Sequence, residues 1–393
     1  MKLNLLFVTG LVCVSGVLAA SSFDIPLQRQ ISNINLESAD SETTVAYIKG
    51  TMMKYANAMQ NYKRNTGKDH PLAVKSNDKR DDTSVSLTPV AGANAWRGEI
   101  MIGGQKVPVD FDTGSADLIV NPGAYDPNKS DSSVDTHKNF HAAYGDKTEG
   151  RGREYRDTVK LGDATAKKVS VGRTNDQFLN PKTHAGIQGI VGLSFPSISV
   201  FRKNDDNAKS LNEVLGQSDA ISHNVYQFTL KQGDGSQLHI GDVDESKIKN
   251  YIVYVDVQRD LGFWVTDAKI SGLDIRVVID SGTSMIVGPV EELKKVFHEI
   301  GDMETISKNG MVYGAYDCDR DLGVTFNIAG KKMRIPKKLQ KFGKTGDGRC
   351  ILSLVGLDKT PLHAWVIGDT LFQGNTIVFD VDKPRLGFAT ANE

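Results

Sequence analysis

Twice in this chain an apolar run ends on an aspartate and turns at once through a glycine set between hydroxyl residues. Residues 107–120 read VPVDFDTGSADLIV, and residues 276–287 read RVVIDSGTSMIV. A strand that stops at a glycine turn needs only the glycine, whereas a buried carboxylate needs partners or gives up its charge. Each turn is followed, at a similar distance, by two apolar residues and a glycine, Ile190-Val191-Gly192 and then Val366-Ile367-Gly368. The doubled grammar predicts two similar lobes, each presenting one aspartate at a tight turn, brought together at a pseudo-twofold axis.

Two carboxylates in one site cannot both ionise cheaply, so they hold one proton between them. The ionised member can take a proton from a trapped water while the protonated member donates to a carbonyl oxygen. Asp112 and Asp280 are therefore the candidate catalytic pair, and Gly114 and Gly282 let backbone approach them closely. Ser115 and Thr283 are placed to hydrogen-bond the outer carboxylate oxygens. This chemistry requires no metal or cofactor. His137 and His141 stand four apart, but no third ligand accompanies them, so no metal site is expected there. Arg151, Arg153 and Arg156 read as a solvated hairpin edge.

The texture of the body agrees with two β lobes. From Ser86 onward, short apolar runs alternate with Gly, Asn and Asp turns, an all-β pattern with Gly98–Ile102, Val225–Leu230, Ser236–Ile240 and Thr376–Phe379 among the expected strands. Two helices interrupt it, one around Leu211 to Leu215 and one over Pro289 to Ile300 that Gly301 ends. The lobes are expected to span residues 81–232 and 233–393.

The first eighty residues differ. Lys2, the apolar run Leu5 to Val17 and a small-residue site at Ala19-Ala20 predict a secretory signal peptide over residues 1–20. No other apolar run is long enough for a membrane span, and the ending Thr390-Ala391-Asn392-Glu393 is not a lipid-anchor signal. Val45, Ile48, Met52, Tyr55, Met59 and Tyr62 recur at three and four, an amphipathic helix begun by Ser41 or Thr43 and stopped at Gly67. Residues 21–80 carry nine Lys/Arg against six Asp/Glu, ahead of a body with an acidic excess and a whole-chain formal charge of −1. That balance gives no argument for nucleic acid or for a membrane surface. Lys79-Arg80 is a plausible dibasic processing site, with cleavage after Arg80. Cys13 leaves with the signal peptide, so Cys318 and Cys350 form the one expected disulfide. Asn128-Lys129-Ser130 is the glycosylation sequon.

With these residues in view the sequence resembles the pepsin-like aspartic endopeptidases, secreted fungal members above all. Asp112-Thr113-Gly114-Ser115 and Asp280-Ser281-Gly282-Thr283 look like the two catalytic signatures, and Thr113 and Ser281 fall where the family's interlobe hydroxyl grip lies. Ala143-Tyr144-Gly145-Asp146 is similar to the start of the flap hairpin, with Tyr144 as its tyrosine. The resemblance implies an all-β bilobal fold, two β-barrel lobes flanking a cleft, acting as a monomer on protein and peptide substrates at acid pH. It also implies a secreted zymogen, a vacuolar location being the alternative, whose own propeptide (residues 21–80) covers the cleft. A propeptide lysine, Lys75 or Lys68, is expected near the aspartates. Asp146 on the flap is expected to help accept lysine just before the scissile bond. The sequence departs from the family at Lys147, where a second flap glycine is usual, and at Ile119, where a tryptophan is usual. The reading from another class is a catalytically weak or silent binding or inhibitor protein on the same fold.

Overall fold

The computed structural model describes residues 21–31, 42–74, 94–143, 149–179, 186–308, 310–358 and 360–392. The chain opens with β1 (Phe23–Ile31) and the long helix α1 (Glu42–Thr66), which ends just before Gly67 at φ +74°. The predicted stripe is the buried face of this helix: Ile48, Met52, Tyr55, Met59 and Tyr62 are all buried.

The first lobe follows as β2 (Asn94–Ile102), β3 (Gln105–Asp112), β4 (Leu118–Val120), β5 (Val134–Ala143), β6 (Glu149–Leu161), β7 (Ala164–Thr174) and β8 (Gly189–Gly192). Pairings β2–β3, β3–β8, β8–β4, β4–β7, β7–β6 and β6–β2 close a six-stranded ring. Alternation along β3 explains how it serves both core and site. Val107, Val109 and Phe111 enter the core, so Asp110 and Asp112 share the opposite face.

After α2 (Leu211–Gly216), which carries a Ser210/Glu213 capping box, the strands β9 (Val225–Thr229), β10 (Ser236–Ile240) and β11 (Ile248–Asp256) leave the ring. The second lobe is built from β12 (Val265–Ile270), β13 (Leu273–Ile279), β14 (Ile286–Pro289), α3 (Val290–Ile300), β15 (Glu304–Lys308), β16 (Met311–Tyr316), β17 (Thr325–Ile328), β18 (Lys331–Arg334), β19 (Lys341–Lys344), β20 (Cys350–Leu357) and β21 (Trp365–Ile367). The closing strands β22 (Asn375–Asp380) and β23 (Arg385–Ala391) return to β9 and β11, giving a platform ordered β11-β23-β22-β9-β10-β1 that draws strands from both halves. Strand β1 joins this platform to the first lobe, pairing with β10 through Phe23–Leu27 and with β2 through Gln28–Ile31.

The internal repeat is visible in the pairing around each aspartate. β3 lies parallel to β8, which is antiparallel to β4; β13 lies parallel to β21, which is antiparallel to β14. The all-β bilobal architecture expected from the sequence is therefore present. Cys318 and Cys350 are joined, with their Cα atoms 5.0 Å apart.

Candidate functional site

The strand ends of β3 and β13 carry Asp112 and Asp280 to the boundary between the lobes, where both are buried, at 3% and 0% exposure. The turns that follow interlock. Thr113 N–H donates to Ser281 Oγ (3.1 Å) and Ser281 N–H donates to Thr113 Oγ1 (2.9 Å). Each hydroxyl then donates across to the other strand, Thr113 to the Ile279 carbonyl (3.1 Å) and Ser281 to the Phe111 carbonyl (2.6 Å). Four reciprocal bonds in a buried setting fix the two turns against each other, because breaking any one strands a desolvated polar group.

Each aspartate is also held by its own turn. Gly114 N–H donates to Asp112 Oδ1 (2.8 Å) and Gly282 N–H to Asp280 Oδ1 (3.0 Å). A Cβ on Gly114 would fall 2.5 Å from Asp280 Oδ1, and one on Gly282 would fall 2.2 Å from Asp112 Oδ1. Both signature glycines are thus forced by the close approach of the opposite lobe's carboxylate. The hydroxyls that follow are not equivalent. Thr283 Oγ1 donates to Asp280 Oδ2 at 2.6 Å, whereas Ser115 Oγ is buried without a hydrogen-bond partner among the described residues. The expected Ser115 bond to Asp112 is therefore corrected: in this state Lys54, not Ser115, is bonded to Asp112.

Lys54 is the residue that sequence reasoning missed. Its Nζ donates to Asp112 Oδ1 at 2.6 Å and to both oxygens of Asp280 at 3.1 Å. Tyr55, the next residue of α1, donates its hydroxyl to Asp280 Oδ2 at 2.7 Å. The lysine beside the aspartates is thus neither of the two expected; Lys68 is exposed beyond the helix, and Lys75 lies outside the described residues. The amphipathic stripe itself crosses the cleft, so the cation comes from the helix rather than from the basic tail behind it. The available signal was a lysine directly before a stripe tyrosine.

Burial disfavours the charged lysine, but attraction to Asp112 and Asp280 outweighs it and raises the Lys54 pKa. For Asp280, burial is likewise outweighed, by Lys54 and by the Thr283 and Tyr55 hydroxyls among others, and its pKa is lowered. For Asp112, burial prevails despite Lys54, helped by the Asp280 charge, and its pKa is raised. With Lys54 between them the two aspartates are thus electrostatically inequivalent. Behind them Asp110 and Asp369 are pushed well above the ordinary carboxyl range, by burial first and then by neighbouring carboxylates.

Tyr144, Gly145, Asp146, Lys147 and Arg80 lie outside the described residues. Asn128 is exposed on the short 3-10 turn Pro127–Lys129. Arg153 pairs with Asp135 at 2.7 Å, and Arg156 and Lys138 converge on the buried Asp205, so part of the expected solvated edge is instead anchored. His137 takes part in the Arg153–Asp135 group. Asp24, His239 and Asp244 approach closely enough to share an ion, but both His239 nitrogens are already engaged, by Asp24 and Asp242.

The sequence profile of the eukaryotic aspartyl proteases matches residues 95–391. Secreted aspartyl protease 1 of Malassezia globosa is 35% identical over the full length of both chains. Aspergillopepsin-1 of Emericella nidulans is 26% identical over 85% of this chain and 86% of its own. A second Malassezia globosa protein, named a probable inactive secreted aspartyl protease, is 25% identical over 99% of this chain and all of its own.

Proposed function

The chain belongs to the eukaryotic aspartyl protease family, and from that premise we propose that Asp112 and Asp280 hydrolyse internal peptide bonds at acid pH once α1 has left the cleft. The observation that carries the reading is the convergence of two buried carboxylates, one from each lobe, on a single cation where a substrate carbonyl and a water would stand. With Lys54 gone, the pair shares a proton. The ionised member activates a water for attack on the scissile carbonyl, and the protonated member donates to the developing oxyanion. Thr113 and Ser281 hold the two turns in register, Gly114 and Gly282 supply the close backbone, and Thr283 stabilises one carboxylate. Ser115, freed of the Lys54 arrangement, is placed to do the same for Asp112.

Residues 21–80 act as the propeptide. Lys54 neutralises both aspartates and Tyr55 fills the space beside them, so the described state is blocked. Maturation cleaves after Arg80, residues 144–146 form the flap over a bound strand, and Asp146 widens acceptance of lysine before the cut. The enzyme is secreted as a monomer, carries a glycan at Asn128, and acts on protein substrates with apolar side chains flanking the scissile bond.

Acid digestion of casein or haemoglobin by the processed protein tests the mechanism. Pepstatin should abolish it, and Asp112→Asn or Asp280→Asn should lower it by at least about a thousandfold, the scale of lost acid–base catalysis. Substantial activity in either variant, with contaminating proteases excluded, would refute the pair. A folded, processed wild type without activity would support the binding-protein alternative.

A further inference from the structure

We propose that His70 is an acid-opened latch: neutral, it fastens the end of the α1 segment to the second lobe, and on protonation it lets the segment swing away from Asp112 and Asp280. The inference deepens the reading above and rests on α1 being the part that must leave.

His70 follows α1 by four residues and is only 3% exposed. Its two nitrogens have partners of opposite kind. Nε2 lies 2.6 Å from the Leu261 carbonyl, which can only accept, so Nε2 carries the proton. Nδ1 accepts from the Leu72 N–H at 3.1 Å, so Nδ1 must be bare. The partners therefore specify the neutral ring in one tautomer. A second proton would set Nδ1–H against the Leu72 N–H, donor facing donor, and would place a charge in a closed site.

The ring is also a keystone between the segment and the body. It packs edge-on against Tyr62 of α1 (centroids 4.7 Å apart) and against Phe263 of the body (5.2 Å). Phe263 in turn packs against Tyr55 at 5.1 Å, whose hydroxyl is bonded to Asp280. On the other side, Leu72 is bonded through its carbonyl to the His363 N–H (2.8 Å), and the Val74 N–H donates to the Pro361 carbonyl (2.9 Å). Loss of the His70–Leu72 bond loosens both this short strand pairing and the aromatic contact leading back to the aspartates.

Among the described residues no carboxylate compensates a charge on the ring. Lys63 and Asp69 pair with each other in solvent at 2.8 Å, and Lys68 and Asp260 are exposed. Arg64 turns to Asn61, and Arg259 to the carbonyls of Val381 and Asp382. Burial accordingly lowers the His70 pKa, with the Leu261 carbonyl opposing it only in part. In the released segment the ring returns to its ordinary value of about 6.5. The latch is therefore at full strength above that value and is lost as pH falls through the lowered one.

Pulsed amide exchange on the full chain, stepped from about pH 7 to pH 4 and corrected for intrinsic rates, reads the opening of α1. Wild type should lose protection over residues 48–66 below the ordinary histidine range. In His70→Gln, whose amide can accept from Leu72 and donate to Leu261 without ever charging, the midpoint should fall by about one pH unit or more. Superimposable midpoints would overturn the latch. Should the variant show no protection at neutral pH, the ring resonances of wild-type His70 decide. Protonation coincident with loss of α1 protection supports the latch, and opening while the ring is neutral, or protonation without opening, overturns it. Neither measurement reads peptide hydrolysis, so an inactive protein would sink the protease reading and leave the latch standing, and unchanged midpoints would do the reverse.

Discussion

Thr283 and Ser115 occupy matched places in the two turns, yet among the described residues only Thr283 is bonded to its carboxylate, Ser115 being buried with an idle hydroxyl. The asymmetry has measurable consequences in the blocked chain. Hydrogen bonds to a charged group contribute about 1.5–3 kcal/mol, so Thr283→Ala should destabilise the unprocessed protein by about that amount. It should also raise the acid limb of the processed enzyme's pH–rate profile by about one unit, since Asp280 loses a donor that favours its ionised form. Ser115→Ala should change the stability of the unprocessed chain by less than about 0.5 kcal/mol. Chemical denaturation of both variants checks this, and equal losses would show that the idle hydroxyl has a partner after all. The sign follows from the lowered Asp280 pKa: its contribution is present above the ordinary carboxyl range and is lost as pH falls through the lowered value.

On the reading proposed above, α1 is the element that blocks the aspartates, and it illustrates what a single sequence discloses. Its apolar period was legible, since the spacing of three and four that puts these residues on one face is local to the helix, and Gly67 ends it at a positive φ. Where the helix lies was not legible, because that depends on which groove of the body receives the stripe. The lysine was therefore sought in the basic stretch beyond Gly67, when the helix itself carries Lys54 to the aspartates. The duplicated turns were readable for the opposite reason: close approach across a pseudo-twofold demands the same small and hydroxyl residues twice. The idle Ser115 was invisible, since the two turns offer hydroxyls at matched positions and only the folded geometry tells them apart. Lys54→Met tests the clamp. It removes charge-assisted bonds but keeps an apolar stem, and the two carboxylates can then share a proton. Opening of α1 at neutral pH should become about 10- to 100-fold more frequent, the equivalent of about 1.5–3 kcal/mol. Amide exchange or limited proteolysis within α1 would register it, and unchanged protection would mean that packing alone holds the helix.

Across the whole molecule, the two ends of the first segment respond to pH in opposite senses. At one end, β1 lies between the platform and the first lobe, with Asp24 opposite His239 in the β1–β10 register. His239 Nδ1 is 2.6 Å from Asp24 Oδ1 and its Nε2 is 2.5 Å from Asp242 Oδ1, so both nitrogens face carboxylates and the protonated ring satisfies both. Burial lowers the His239 pKa, but the bonds and charges of Asp242 and Asp24 outweigh burial and raise it. A raised value means that the stabilisation is complete below the ordinary histidine value of about 6.5 and is lost as pH rises through the folded one. The His70 end has the reverse dependence. In mild acid, then, the segment should detach at α1 while β1 stays paired, so that opening the cleft does not pull a strand from the sheet that unites the lobes. Thermal unfolding of His239→Asn provides the test. The variant should melt below wild type at about pH 6, where wild type carries the imidazolium, and the gap should narrow at about pH 9. Both carboxylates are about half exposed, so solvent screening keeps the difference modest, and added salt should shrink it at the lower pH. A gap of equal size at both pH values would show that His239 acts by packing alone, and the opposed pH responses of the two ends would then not exist.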